Sequence, residues 1–237
     1  MTRKRDKARA RRRLPWRAWL GRWIFRAFLL ASVILILVVT AHGQLKPPRT
    51  LYMMQEARRL GAIDQDWVPI EAVAPVMARS IVAAEDANYC LHWGFDMAAI
   101  RTALEEGAGR GASTLSQQVV KNVYLWQGRS WLRKALEAGI TPLVETLWSK
   151  RRIIEVYMNV AEFDQGVFGV SAAARHYFGV AAADLSPVQA ARLAMVLPNP
   201  KERSASRPTN AQRKRAAQIM DGAATIRRDG RAACFED

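Results

Sequence analysis

The sequence predicts a mostly α-helical domain carried behind a single N-terminal transmembrane helix. Three observations predict it. Ile24 to Ala41 is an 18-residue apolar run with one charge, Arg26. Beyond it, apolar residues recur at helical spacing, as at Val76, Met77, Ile81 and Ala84. Strand signals are few and short. Half of the 237 residues are hydrophobic, enough for a sizeable core.

The apolar run comes first. At about 1.5 Å per residue, a helix of this length nearly crosses a hydrocarbon layer of roughly 30 Å. Trp16, Trp19 and Trp23 precede it, as an interfacial aromatic belt does. Arg26 can snorkel to the headgroups. Residues 1–22 hold ten Lys/Arg and one acid, which places the N-terminus in the cytoplasm and the rest outside. The competing reading is a cleaved signal peptide, with Ala41-His42-Gly43 as a poor cleavage site and an overlong basic region.

The formal net charge of +15 points first to nucleic acid or an anionic surface. Its distribution argues against nucleic acid, because residues from 43 onward hold 25 basic and 20 acidic side chains. Cys90 and Cys234 have no CxxC spacing and no histidines at metal spacing. A disulfide outside the cytoplasm fits them, but two unpaired thiols are the favoured reading.

Past Lys46-Pro47-Pro48-Arg49, an extended linker, the pattern predicts a helix over 51–61 and a connection at Asp66-Trp67-Val68-Pro69. A helix follows from Val73, and another over 96–106 ends in the glycine-rich loop Gly107 to Gly111. Ser113 or Thr114 caps the next helix, and Thr114-x-x-Gln117 matches a capping box. Helices near 131–147, 150–161, 170–177, 186–196 and 209–229 complete the domain. Pro142 is expected to bend or interrupt the first of these, whereas Pro187 suits a first turn after Ser186. The chain thus divides into a basic arm (1–22), a membrane helix (23–42), a linker and first helix (43–69), a main domain (70–229) and a tail (230–237).

Four patches could carry chemistry. Glu85-Asp86, followed by Tyr89, His92 and Gly94, puts two acids at the end of an apolar helix. A carboxylate beside apolar rings has its pKa raised toward that of a useful base; a solvated helix end gives the same local pattern. Gly111-Ala-Ser113-Thr114-Leu-Ser-Gln117-Gln118, with Lys121 beyond, brings backbone N–H groups and a positive helix end, which suit a pyrophosphate. It is not a Walker loop, and a plain capped helix also explains it. Arg129, Arg133, Lys134 and Glu137 place cations at i−4 and i−3 from a carboxylate, as an anion clamp or a salt-bridge ladder does. In Lys150 to Asn159, Glu155 and Asn159 read as polar groups that fix one helix against its neighbours. After these, Gly169 and Ala172 to Ala174 allow close helix approach, and Tyr177 and Phe178 are expected to fill the core.

Together and in this order, the patches resemble glycosyltransferase family 51, the peptidoglycan polymerases. Glu85-Asp86 with His92 and Gly94 resembles its first motif, Gly111-x-Ser-Thr-x-x-Gln-Gln118 its second and Arg133-Lys134-x-x-Glu137 its third. Lys150-x-x-Ile-Ile-Glu-x-Tyr-Met-Asn159 resembles the fourth, and Gly169-Val170 through Leu193-Ala194 the fifth. The resemblance covers about residues 70–200 and extends toward 229. Tyr89 and Met158 stand where the family commonly has Phe and Leu, both apolar-for-apolar changes. No Ser-x-x-Lys or Lys-Thr-Gly is present, so the chain looks like the monofunctional type, without a transpeptidase module.

The resemblance implies a lysozyme-like α fold with a smaller membrane-associated jaw, near residues 105–135. It implies a cell-wall polymerase at the inner (plasma) membrane, with its catalytic domain periplasmic or external. The donor is a glycan chain on undecaprenyl pyrophosphate, the acceptor is lipid II, and a β-1,4 bond forms with inversion. Glu85 and Glu137 are the implied catalytic residues, with Glu85 the general base. Asp86, Ser113, Thr114, Gln117, Gln118, Lys121, Arg129, Arg133 and Lys134 are the implied substrate-binding residues. A divalent cation, Mg or Mn, is implied only as an accessory, and no His/Cys cluster marks a metal site. Implied partners are the lipid substrates, the membrane, and cell-wall synthesis or division proteins, and not nucleic acid.

Two other readings fit parts of the pattern. A lytic transglycosylase of the same broad fold would also use a Glu, but has no use for an anion clamp at Ser113, Lys121, Arg129 and Lys134. A noncatalytic polymer-binding module would spread basic residues over the external part and make Glu85 dispensable.

Overall fold

The computed structural model describes residues 16–105 and 113–236. The basic arm before Trp16 and the glycine-rich loop Gly107 to Gly111 lie outside the described residues. The chain divides after Val39 into two units.

Among the described residues the first unit is the helix α1 up to Val39; α1 itself spans Trp16–His42 and so begins well before the apolar run. Its large side chains, including Trp19, Trp23, Phe28 and Leu37, are exposed. A stretch from Ala18 to His42 is long and apolar enough to cross a membrane.

The second unit is helical, with one small sheet among its described residues. The helices are α2 (Leu51–Leu60), α3 (Pro75–Glu85), α4 (Met97–Glu105), α5 (Leu115–Tyr124), α6 (Trp131–Leu147) and α7 (Lys150–Val160). They continue with α8 (Val170–Phe178), α9 (Pro187–Val196), α10 (Asn210–Arg228) and the short α11 (Ala233–Glu236). Strand β1 (Asp64–Gln65) pairs parallel with β3 (Val167–Phe168), which pairs antiparallel with β2 (Glu162–Asp164).

Caps set the helix starts. The expected Thr114–Gln117 capping box opens α5. Equivalent boxes, Ser186 with Gln189 and Thr209 with Gln212, open α9 and α10. Each satisfies N–H groups that have no partner inside the helix.

Packing follows the apolar faces. α3, α9 and α10 pack on one another, and α5 packs on α6 and α7. α7 is the central helix, burying Ile153, Ile154, Val156, Tyr157, Met158, Asn159 and Val160. Buried Asn159 accepts from the Val68 N–H and donates to the Val68 carbonyl, each at 2.9 Å, so it pins the 66–69 connection to α7. That is the bracing role its spacing suggests.

Two expectations fail, and of a third, the interruption at Pro142 is not found. α6 runs unbroken through Pro142. The lost backbone bond is outweighed by the buried face of Ile140, Thr141 and Val144, which packs α6 into the domain. Tyr177 and Phe178 do not fill the core; they stay partly exposed at the end of α8. The Tyr177 hydroxyl donates to Asp164 at 2.9 Å and to the Phe163 carbonyl at 3.1 Å, which ties the side chain to β2. Phe163 and Phe168, on the sheet, fill the core instead. Finally, Cys90 and Cys234 are not unpaired: they form a disulfide across 144 residues. Sequence separation hides a pairing that folding brings into contact.

Candidate active site

The site begins where α3 ends. Glu85 is its last residue, and the backbone leaves the helix at Asp86 (φ −158°, ψ 69°). Two adjacent carboxylates therefore reach different surroundings. Glu85 Oε2 accepts from Gln118 Nε2 of α5 at 2.9 Å. Gln118 Oε1 in turn accepts from the buried Tyr157 hydroxyl of α7 at 3.1 Å. Burial pushes the Glu85 carboxyl above its ordinary range. The Gln118 amide, and the charges of Arg215, Lys121 and Arg203, pull the other way and offset only part of it.

Asp86 turns inward and is buried. Its Oδ1 lies 2.8 Å from His92 Nε2, and its Oδ2 accepts from the Leu115 N–H at 2.9 Å. It thus holds the first turn of α5, an N-terminal position that favours an anion. Thr114, also buried, donates to the Gly94 carbonyl at 2.7 Å while its hydroxyl accepts the Gln117 N–H at 3.3 Å. Gly94 has a φ of +84°, and a Cβ there would come within 2.7 Å of Thr141 Cγ2, so only glycine suits this close passage. Asp86, Thr114 and Gln117 are therefore engaged by the protein itself. Gln118, Ser113 and Lys121 have side chains only partly buried or exposed.

The third patch assembles on α6. Buried Glu137 accepts from Arg133 Nη1 at 2.6 Å through one oxygen and from Lys134 Nζ through the other. Arg133 Nε also donates to the Gly128 carbonyl at 2.9 Å. Lys134 Nζ reaches back to Ser113 Oγ at 3.1 Å. Burial holds the Lys121 ammonium below its usual range, and the charges of Glu137 and Glu85 oppose that. Arg129 is exposed and makes no side-chain ion pair among the described residues.

Two recesses flank the Glu85–Gln118 contact. One, of about 220 Å³, is lined by Glu85, Asp86, Asn88, Asp96, Ser113 and Thr114. The other, of about 230 Å³, is lined by Gln118, Lys121, Gln127, Tyr157, Tyr52 and Glu162, with Pro198 among its walls. Glu85 and the cation cluster meet at the first, because Lys134 bonds the Ser113 that lines it. This arrangement offers a carboxylate of raised basicity beside donors suited to an anionic leaving group.

Residues without a fixed-spacing signature complete the site. Buried Glu145 accepts from the Ser116 hydroxyl and, at 2.9 Å, from Lys150 Nζ. Lys150 also donates to the His92 carbonyl at 2.9 Å and lies 4.5 Å from the Tyr89 ring centre. This network ties α5, α6 and α7 to the turn after Glu85. Ser116 and Glu145 escaped the sequence reading because a helix break separates Glu145 from Lys150 and no periodic spacing links either to Ser116.

The residues at Glu137 do not fit a protein-held Mg or Mn ion. Both carboxylate oxygens already accept from cations, and no group of three or more His, Cys, Asp or Glu among the described residues could hold a metal.

The model of the transglycosylase family matches residues 53–224. The chain belongs to the transglycosylase family. It is 56% identical to the biosynthetic peptidoglycan transglycosylase of Jannaschia sp. (strain CCS1), over 98% of this chain and 97% of the relative. It is 47% identical to the protein of the same description from Rhodospirillum centenum, over 89% of this chain and 94% of the relative. For that of Pseudomonas aeruginosa, identity is 48% over 81% and 86%. As a transglycosylase, the chain is a peptidoglycan glycosyltransferase of cell-wall synthesis, and its mostly α, lysozyme-like fold is that of the family. Polymerisation of lipid II is the activity of transglycosylases of this kind.

Proposed function

We propose that this transglycosylase elongates a glycan strand held on undecaprenyl pyrophosphate, with lipid II as acceptor and Glu85 as general base. One observation carries the reading: Lys134 bonds Ser113 at the rim of the recess that Glu85 lines, so base and cation serve one space. Glu85 takes the proton from the 4-hydroxyl of the acceptor GlcNAc as that oxygen attacks the anomeric carbon of the donor MurNAc. The bond to the α-pyrophosphate breaks from the opposite face, so a β-1,4 bond forms with inversion. Lys134, Arg133, Lys121 and Arg129 offset the charge on the departing pyrophosphate, as cation clamps do for phosphate leaving groups. Glu137 is the brace that holds Arg133 and Lys134 toward it. Ser113 and Gln118 orient donor and base, while Asp86, Thr114 and Gln117 keep α5 in place beneath them.

The same reading sets the topology: a single-pass protein of the inner membrane, with its N-terminus cytoplasmic and its catalytic unit external. The basic arm and α1 support it. So does the Cys90–Cys234 disulfide, a bond that persists in oxidising compartments such as the periplasm. Trp131, 93% exposed, with exposed Leu132 and Leu136 beside Arg129, Arg133 and Lys134, supports a jaw at the lipid interface. Cell-wall synthesis or division proteins are the partners this places within reach.

The test supplies the full chain in detergent with labelled lipid II. Wild type is expected to make polymer, and Glu85→Gln to lose at least about 10²-fold in rate. Shortening of preformed glycan without polymer would replace this reading with the lytic one. Unchanged turnover in Glu85→Gln would remove Glu85 from the base role.

A further inference from the structure

The segment after α10 lies against the turn that follows Glu85. Cys234 is bonded to Cys90. Phe235 is fully buried and sits 6.1 Å from the Tyr89 ring, centre to centre. Arg231 Nη1 donates to the Ala87 carbonyl at 3.0 Å. From beneath, Arg151 of α7 donates to the Phe235 and Glu236 carbonyls at 3.1 and 3.2 Å, and Arg79 of α3 pairs with Glu236 at 3.3 Å. The family match stops at residue 224, so this segment lies outside the matched region.

The tail adds to anchors the turn already has on α7, where the Tyr89 hydroxyl donates to the Lys150 carbonyl at 2.8 Å and Lys150 donates to the His92 carbonyl at 2.9 Å. Ala87, Asn88, Leu91 and Trp93 are exposed, and Tyr89 is the fully buried residue between them. Tyr89 meets the His92 ring edge-on, 6.4 Å between centres, and His92 pairs with Asp86. Asp86 holds the Leu115 N–H of α5, and α5 carries the Gln118 that holds Glu85. Contacts made by the tail are thus linked, through packed or bonded neighbours, to the proposed base.

We propose that residues 231–236, locked by the Cys90–Cys234 disulfide, form a positioning clamp that keeps the Glu85–Asp86 turn in register with α5. The inference rests on Glu85 being the base in glycan polymerisation. It makes the tail part of the catalytic scaffold, and the oxidised state a requirement for full turnover.

The test compares oxidised full-length protein, the same protein reduced with dithiothreitol, and Cys90→Ala/Cys234→Ala. Dithiothreitol delivers two electrons and two protons to the S–S bond, leaving two thiols and becoming a cyclic disulfide itself. Polymerisation of lipid II in detergent is followed across pH, well below the melting temperature, and amide exchange is followed over 86–94. Reduction is expected to lower kcat about five- to tenfold with KM within about twofold. It should also move the acid limb of the pH profile and speed exchange at 86–94, and reoxidation should reverse all three. Simple loss of stability would lower the active fraction without moving that limb, and would count against the clamp. Two titratable thiols in the oxidised protein would overturn the proposal, as would an unchanged pH limb and unchanged exchange after reduction. Should the double variant fail to fold, the reduction of folded wild type decides alone. Should wild type make no polymer, the polymerase reading fails, while exchange at 86–94 still decides whether the tail clamps the turn.

Discussion

Gln118 Nε2 donates to Glu85 Oε2 at 2.9 Å, and the same amide accepts from Tyr157 through its oxygen. An ionised carboxylate can only accept, so the amide turns its N–H to Glu85 and its oxygen to the Tyr157 hydroxyl, which can donate to it. This bond favours the ionised carboxylate against the burial that raises its pKa.

Gln118→Met removes that donor while keeping an unbranched side chain. The Glu85 pKa then rises further, and less base is present at a given pH. The acid limb of kcat/KM is expected to move to higher pH, with the plateau at alkaline pH reduced less than the rate at pH 6. A pH–rate profile on labelled lipid II checks it; a limb that stays in place would remove Gln118 from control of the base.

The same burial makes Glu85 costly to the fold. Its folded pKa lies above the value of 4.5 for a free Glu, so the folded state binds the proton more tightly than the unfolded state. Stability therefore falls as pH rises from the unfolded pKa through the folded one. Glu85→Gln, neutral throughout, is expected to melt higher than wild type at pH 8 and to lose this advantage below about pH 4. Thermal melts at the two pH values measure the difference; a variant that melts lower at pH 8 contradicts it.

Arg133 and Lys134 share Glu137 but differ in exposure. The Arg133 side chain is 12% exposed and that of Lys134 is 42%. Arg133→Met leaves a buried carboxylate short of its better-covered partner and is expected to cost about 3 kcal/mol in urea unfolding. Lys134→Met is expected to cost under about 1 kcal/mol, because solvent screens the pair. In turnover Lys134→Met is expected to fall by at least about tenfold, on the proposed role of its ammonium at the leaving group. Equal effects of the two variants on stability would contradict the assignment.

The anchor prediction depends on where the catalytic unit begins. Arg152 donates to the His42 carbonyl at 3.1 and 3.0 Å, and His42 stacks on Tyr124 with ring centres 5.8 Å apart. Thr40 to His42 thus belong with the catalytic unit. A deletion of residues 1–39 spares them. It is expected to lower activity on bilayer-embedded lipid II by at least about tenfold, while the rate on detergent-solubilised lipid II stays within about twofold. Equal losses in the two assays would deny the anchor a role in meeting the substrate.

Much of this protein is legible in local sequence, because the physics there acts over one or two helical turns. The apolar run and its basic flank define α1. Thr114 with Gln117 defines the start of α5, and Arg133, Lys134 and Glu137 meet because i−3 and i−4 share a helix face. Glu85 is recognisable as a base candidate from its apolar helix. Tertiary structure decided what spacing cannot express. The backbone break at Asp86 sends two adjacent carboxylates apart, one to Gln118 and the other beneath α5. Burial carries α6 through Pro142, and Tyr177 stays partly exposed at the end of α8, bonded to Phe163 and Asp164 of β2. Cys90 and Cys234, read as unpaired thiols, are joined because the fold returns the tail to the turn after Glu85. Contacts between distant segments depend on how whole helices pack, and no short window of residues carries that information.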